Sequence, residues 1–313
     1  QSCDIAEKLR RPWETFIKKR GNEICAAKEN SDKLVNAVLE FKMLCERFLA
    51  EAFGMDPGFK KSMRSAFASF INSRHAKHPW GMGGDRVGEL LAKYVDLLLR
   101  GGLNAVPESL VHPPTPAASD ADAVEEYKAS EFDRQIDLVL DLFRHIDGKD
   151  TFLSYYKLHL ARRLLNGRSL SEASEKAMIA KLEKEGGEDY VKELVTMFKD
   201  IDSSKVELAA YDEEVWKGRS RRLELGVNML TSSAWPTYPE EKVNVPHVVA
   251  KEIERFDEWY GKAHSGRKIT WKHSLAQCEI RANLPNGKKY LVVGGYQAIV
   301  LHLFNDVADT ESL

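Results

Sequence analysis

The chain has 313 residues, of which 46 are basic and 48 acidic, for a formal net charge of −2. A balance this even gives no global field for nucleic acid or an anionic membrane, so such binding has to come from local patches. The length exceeds what one core organises, and 43% hydrophobic with 30% charged residues suits two or three domains with much exposed helix.

Residues 1–112 read as helices. Over residues 34–52, apolar positions recur at Leu34, Val35, Val38, Phe41, Cys45, Phe48, Leu49 and Ala52, the stripe of a helix that buries one side. Phe59, Met63, Phe67, Phe70 and Ile71 repeat the pattern. Leu90, Leu91, Tyr94, Leu97 and Leu98 repeat it again before a stop at Gly101 and Gly102. Between the last two stripes, residues 75–84 are rich in Pro, Trp and Gly and read as a loop. Residues 113–129 read as a linker, because Pro113, Pro114, Pro116 and the small or acidic residues after them bury too little to offset backbone ordering.

Residues 130–226 read as an antiparallel four-helix bundle. Ile136, Val139, Leu140, Phe143 and Ile146 form one stripe, closed by Gly148, and Phe152, Tyr156, Leu160 and Leu164 form another, closed by Gly167. Ser169 with Glu172 is expected to make a capping box, opening a helix that carries Met178, Ile179 and Leu182 and stops at Gly186 and Gly187. Tyr190, Leu194, Met197, Phe198 and Ile201 follow, and a fifth helical stretch is expected to run to about residue 225.

The period then changes, and residues 227–313 read as a smaller, incomplete α/β domain. Val227 to Leu230 is short and apolar, and Trp235-Pro236 breaks it. Cys278, Ile280, Ala282 and Leu284 alternate with polar neighbours as in a half-buried strand. Asn286-Gly287 suits a tight hairpin turn, residues 289–293 supply the partner strand, and residues 297–304 return to helical spacing. The fold class expected is mostly α with a small C-terminal α/β part.

Four cysteines, Cys3, Cys25, Cys45 and Cys278, form no CxxC pair and no disulfide framework, which points to a reducing, intracellular compartment. No apolar run approaches the roughly 20 residues that span a bilayer. The chain starts at Gln1 without Met or a signal-like segment and reads as a piece of something longer.

Motifs for chemistry are missing. There is no phosphate loop, no GxSxG and no HExxH, and Gly81, Gly83, Gly84 and Gly88 have the wrong spacing for a dinucleotide fingerprint. His75 and His78 lie on the loop without the further ligands structural zinc needs, and read as solvated. Tyr155, Tyr156 and His159 share a helix turn and read as bundle core with polar tips reaching out. The sequence therefore assigns no catalytic residue, cofactor or metal, and the chain is expected not to be an enzyme. Basic runs at Arg162, Arg163 and Arg168, at Arg219, Arg221 and Arg222, and at Arg267 and Lys268 leave two readings. They converge on a face for an acidic partner, or they are separate solvated surfaces, which general surface composition favours.

Several stretches resemble the cullin family. The run from Leu138 to Asp150 is similar to the start of its four-helix bundle. The next run, Phe152 to Leu165, resembles its Phe-x-x-x-Tyr-Lys-x-x-Leu-Ala-x-Arg-Leu-Leu pattern. Ser174 to Met178, Lys181-Leu182, Met197 to Asp200, Trp235-Pro236-Thr237 and His264 to Trp271 match in order and spacing. The likeness covers residues 130–305 strongly, and residues 33–102 more weakly as a last helical repeat of the N-terminal stalk. Trp235 to Pro239, Val243 to Pro246 and Phe41-Lys42 look most like the type-4 branch. Gly294 and Gly295 stand where the family has bulkier residues.

The resemblance implies a non-catalytic scaffold of a ubiquitin ligase, placed in nucleus and cytoplasm. It implies that a RING-box protein docks on the α/β domain by adding a strand, and that its RING recruits a ubiquitin-conjugating enzyme. Trp271, Cys278, Ile280, Ala282, Tyr290 and Val292 would then line the docking sheet, although each taken alone reads as core. An adaptor or substrate receptor, in the type-4 branch a DNA-damage-binding β-propeller protein, would use N-terminal repeats mostly absent here. The lysine that carries a ubiquitin-like modifier would lie beyond residue 313. Two alternatives stay open: a cullin-like subunit of the anaphase-promoting complex, and a helical module that binds nucleic acid through its basic runs.

Overall fold

A computed structural model describes residues 2–26, 31–73, 84–112, 121–221, 223–284 and 287–305. The loop with His75 and His78, the prolines at 113, 114 and 116, and Asn286 lie outside the described residues. The chain is mostly helical and forms two compact units, Gln1–Met197 and Phe198–Leu313.

The first unit opens with α1 (Ser2–Ala26), α2 (Ser31–Phe53), α3 (Pro57–Ile71) and α4 (Gly84–Gly101). The carboxylate of Asp56 starts α3 by accepting the amides of Gly58 and Phe59 at 2.8 and 3.0 Å, and Pro57 takes the first position, where no amide is needed. The expected stripes are buried, with three exceptions: Phe48 and Leu97 face out, at 52% and 39% exposure, and Ala52 is exposed. Two short 3-10 turns, Gly102–Ala105 and Glu108–Leu110, follow α4.

Helix α5 spans Ala121–Phe143, so residues 121–129, expected as linker, are helical. Polar bonds rather than apolar burial tie this part of α5 to the preceding segment. Tyr127 donates to the His112 carbonyl, Glu131 accepts the His112 amide at 3.3 Å, and Gln135 donates to the Leu110 carbonyl at 2.8 Å. Composition alone does not reveal such anchors.

The rest of the bundle stretch supplies α6 (Lys149–Asn166), α7 (Glu172–Gly186) and α8 (Glu188–Tyr211). Gly167 closes α6 in the left-handed region, at φ +59°. Ser171, not Ser169, caps α7 by accepting the Ser174 amide at 3.0 Å. The hydroxyl of Ser169 instead turns inward, donating to Glu175 at 2.8 Å. At Gly88, α4 meets α6 so closely that a Cβ would lie 2.7 Å from the Gly148 carbonyl oxygen and 2.8 Å from the Phe152 nitrogen.

Charge is buried where these helices meet. Arg163 of α6 is 1% exposed and donates to Asp96 of α4 at 2.5 Å and to both oxygens of Glu175 of α7 at 2.5 and 3.0 Å. Its guanidinium also lies over the Tyr156 ring, 5.5 Å from the centroid. Burial works against the charge on Arg163, but the bonds to Glu175 and the negative neighbours outweigh it and hold the guanidinium above its ordinary range. The expected core role of Tyr156 and His159 agrees with this network: Tyr156 is fully buried, and the His159 ring lies 3.5 Å from Asp96.

The second unit starts within α8. Beyond Tyr211 the chain makes one π turn, Asp212–Trp216, then turns at Gly218 with φ +72°. The expected fifth helical stretch to about residue 225 is therefore helical only through Trp216, as the end of α8 and the π turn, and not beyond. Leu223, Leu225, Val227 and Met229 recur every second residue, a period that suits extended chain.

Helix α9 (His247–Ala263) has no counterpart in the expected elements, although Phe256, Trp259 and Tyr260 supply a buried stripe after Pro246. Strands β1 (Gln277–Leu284) and β2 (Gly287–Gly294) pair antiparallel, and α10 (Gly295–Leu303) follows directly. Gly287 has φ +109°, which suits a glycine at the turn. Gly295 is required by closeness: a Cβ there would sit 3.0 Å from the His273 carbonyl oxygen and 2.9 Å from the Ala276 Cβ. Its amide donates to the Ala276 carbonyl at 2.7 Å, fastening α10 to the start of β1.

Candidate docking site in the C-terminal unit

An aromatic cluster of Tyr211, Phe256, Trp259 and Tyr260 forms the core of the second unit. Tyr211 meets Phe256 and Trp259 edge-on, with centroids 5.0 and 5.3 Å apart. Around it, Trp259 donates to Glu214 at 2.8 Å, and Arg221 makes a two-pronged bond to Asp212 at 2.7 and 3.0 Å. Leu225, Val227 and Met229 pack against this cluster from one side of the run 223–230. Their neighbours Glu224, Gly226 and Asn228 are exposed.

Residues 224–230 run without bend or turn. Yet none of residues 223–228 makes a backbone–backbone hydrogen bond among the described residues. At the far end α8 takes hold. The Met229 amide donates to Ser204 Oγ at 2.7 Å, the Thr231 amide to Asp200 at 2.7 Å, and the Trp235 indole to the same carboxylate at 2.8 Å. The result is an amphipathic run without bend or turn from 224 to 230, anchored to the fold at its far end.

The hairpin is the second place with unpaired backbone. Its sheet has only the strands β1 and β2 among the described residues, so each strand has one edge without a strand neighbour. The register pairs Cys278 with Val293, Ile280 with Leu291 and Ala282 with Lys289 on one face, and Glu279 with Val292 and Arg281 with Tyr290 on the other. The expected docking residues are therefore not one patch. Cys278, Ile280 and Ala282 lie half-buried on one face, whereas Tyr290 and Val292 lie on the other, 65% and 74% exposed. Successive side chains of a strand point to opposite faces, and β1 and β2 were read with opposite parity. Burial raises the Cys278 thiol above its ordinary range, which makes it a poor nucleophile.

Trp271 belongs to neither face. It packs against the aromatic cluster, 6.0 Å from the Phe256 centroid, and its indole donates to Asp257 at 3.0 Å. Burial raises the Asp257 carboxyl, against the pull of that bond.

Of the basic runs, Arg163 is not on a surface. Arg163 is buried and paired, Arg221 is paired with Asp212, and Arg267 donates to the Tyr260 hydroxyl at 3.3 Å. Arg162 and Arg168 are exposed in the first unit, Arg219, Arg267 and Lys268 in the second, and Arg222 lies outside the described residues. Among the described residues, no three His, Cys, Asp or Glu side chains converge to hold a metal ion. No described helix is long and apolar enough to cross a membrane. Sequence reasoning missed the run 223–229, although its period of two was legible, and it missed Asp200 and Ser204, whose role depends on contacts 25 or more residues away.

The family model described as the cullin alpha solenoid domain matches residues 1–208, and that of the cullin alpha+beta domain matches residues 229–313. The chain belongs to the cullin family. This cullin is 33% identical to Cullin-4A of Homo sapiens over 94% of the chain and 35% of that protein. It is 30% identical to Cullin-4 of Dictyostelium discoideum over 97% of the chain and 34% of that protein. With Cullin-4 of Schizosaccharomyces pombe it shares 31% over 98% of the chain and 38% of that protein. The cullin chain thus spans about a third of the length of these relatives.

Proposed function

We propose that this cullin is a non-catalytic scaffold of a cullin-RING ubiquitin ligase, present in nucleus and cytoplasm. It takes up a strand from a RING-box protein, and the RING recruits a ubiquitin-conjugating enzyme that is thereby held near substrate lysines. Proximity of this kind raises effective concentration and asks for no chemistry from the scaffold. In this role residues 1–112 act as a last helical repeat, residues 130–226 as the bundle and residues 227–313 as the α/β domain.

The unpaired backbone of the second unit carries the proposal. Residues 223–228 and the outer hairpin edges leave donors and acceptors that another chain satisfies by strand addition. Co-expression with a RING-box protein followed by gel filtration tests it. The two are expected to co-elute, and Ile280→Lys with Val292→Lys to abolish co-elution. Because those residues face opposite ways, the single variants report which face the partner covers. Failure of the parent chain to co-elute overturns the scaffold role.

A further inference from the structure

We propose that the exposed face of the hairpin β1–β2 joins a second copy of this chain across a two-fold axis. Glu279 of each copy meets Arg281 of the other, and Val292 of each meets Tyr290 of the other.

The register sets this face. Glu279, Arg281 and Asn283 of β1 point the same way as Val292, Tyr290 and Lys288, their partners on β2. All six are exposed, whereas Cys278, Ile280 and Ala282 on the opposite face of β1 are half-buried. Tyr290 and Val292, 65% and 74% exposed and two residues apart, lay an apolar pair open on the sheet. Beside them, Glu279 and Arg281 have no ion-pair partner among the described residues. Strand addition uses the edge of a hairpin and leaves its faces open, so this inference does not rest on the scaffold role.

One symmetry operation satisfies the whole face. Consider an axis between two stacked sheets, perpendicular to the strands, at the level of the Ile280–Leu291 pair. Glu279 lies one residue before that level and Arg281 one after, so each falls opposite the other in the copy. Val292 and Tyr290 exchange places in the same way. Both contacts are thus made twice. In each, a long side chain meets a shorter one, which suits interdigitation of sheets about 10 Å apart. Farther out, Lys288 falls opposite Gly294, which has no side chain to obstruct it.

Other arrangements of two copies are worse. Moving the axis by one residue sets Arg281 on Arg281 or Glu279 on Glu279. An axis along the strands sets Glu279 over Val292 and leaves the carboxylate unpaired. A charge pattern that complements itself in one register selects a second copy over a purely acidic or purely basic partner. The face is smaller than the roughly 800 Å² that each partner of a standard interface buries, so a dissociation constant of about 10–100 μM is expected.

Sedimentation velocity of the full 313-residue chain tests the proposal. Between about 1 and 300 μM it should show reversible monomer and dimer, with less dimer at raised salt. Glu279→Lys sets a lysine against Arg281, and Arg281→Glu sets a glutamate against Glu279. Each variant alone should dimerise at least about tenfold more weakly than the parent. An equimolar mixture of the two should recover dimer of parent strength, because the all-basic face of the first then meets the all-acidic face of the second. Recovery on mixing also shows that both variants fold. A parent chain that stays monomeric up to about 300 μM overturns the inference. So does a dimer that either reversal leaves intact, or a mixture that dimerises no more tightly than its components.

Discussion

Replacing Arg163 with Met separates a buried network from a basic surface. The guanidinium is 1% exposed, and its two carboxylate partners, Glu175 and Asp96, are 0% and 6% exposed. Met preserves much of the volume but leaves Glu175 without a cation, whereas Asp96 keeps Arg100 at 3.4 Å. Breaking a buried pair from one side costs about 3–5 kcal/mol, since the Glu175 charge then stays buried with only hydroxyl donors. With a urea slope on the order of 3 kcal/mol per M, the midpoint of the first unit should fall by more than about 1 M. Far-UV circular dichroism follows the transition, and hydrogen exchange over α6 and α7 locates it. Arg162→Met, one residue away and exposed, should change stability by no more than about 0.5 kcal/mol. Adding Glu175→Gln to Arg163→Met should recover part of the loss by removing the stranded charge at that position. An Arg163→Met chain as stable as Arg162→Met would refute the network, and a double variant less stable than the single would refute the electrostatic account of it.

Acid should weaken the first unit in a defined window. Burial, and then the charge of Lys42, lower the His145 imidazole from 6.5 to about 4. The unfolded chain therefore binds a proton that the folded chain refuses. Stability is full above about pH 6.5, falls as pH drops towards 4, and levels off below, by at most about 3 kcal/mol. His145→Gln should flatten urea midpoints measured between pH 7.5 and 4.5, and an unchanged slope would exclude His145 as the source. Gly88→Ala should destabilise although Ala favours helix, because its Cβ meets backbone atoms of Gly148 and Phe152 below 3 Å. Overpacking costs about 1–3 kcal/mol against a propensity gain of about 1, so an unchanged or raised midpoint would rule out the close approach of α4 to α6.

Helices α2 to α4 and α6 to α8 were legible in the sequence because each buries a stripe, and stripe spacing is a local property. The hairpin was legible for the same reason, through alternation on β1 and a glycine at its turn. What eluded the sequence depended on distant partners. Arg163 looked like surface charge because its acids lie 67 and 12 residues away. The first turns of α5 looked like linker because their anchor, the bond from Tyr127 to the His112 carbonyl, reaches back 15 residues. Trp271 was placed on the docking sheet by the family resemblance, whereas its ring sits on the core cluster. Helix α9 carried a readable period but mixes it with many charges, and the run 223–229 alternates too briefly to stand out.

An exposed ribbon of peptide groups is normally a hazard, since copies of the same protein can zip together along it. Here the run 223–228 bears a carboxylate and a glycine, one repelling similar acidic margins and the other a poor builder of sheet on its own. Two identical molecules have little to offer each other at that place.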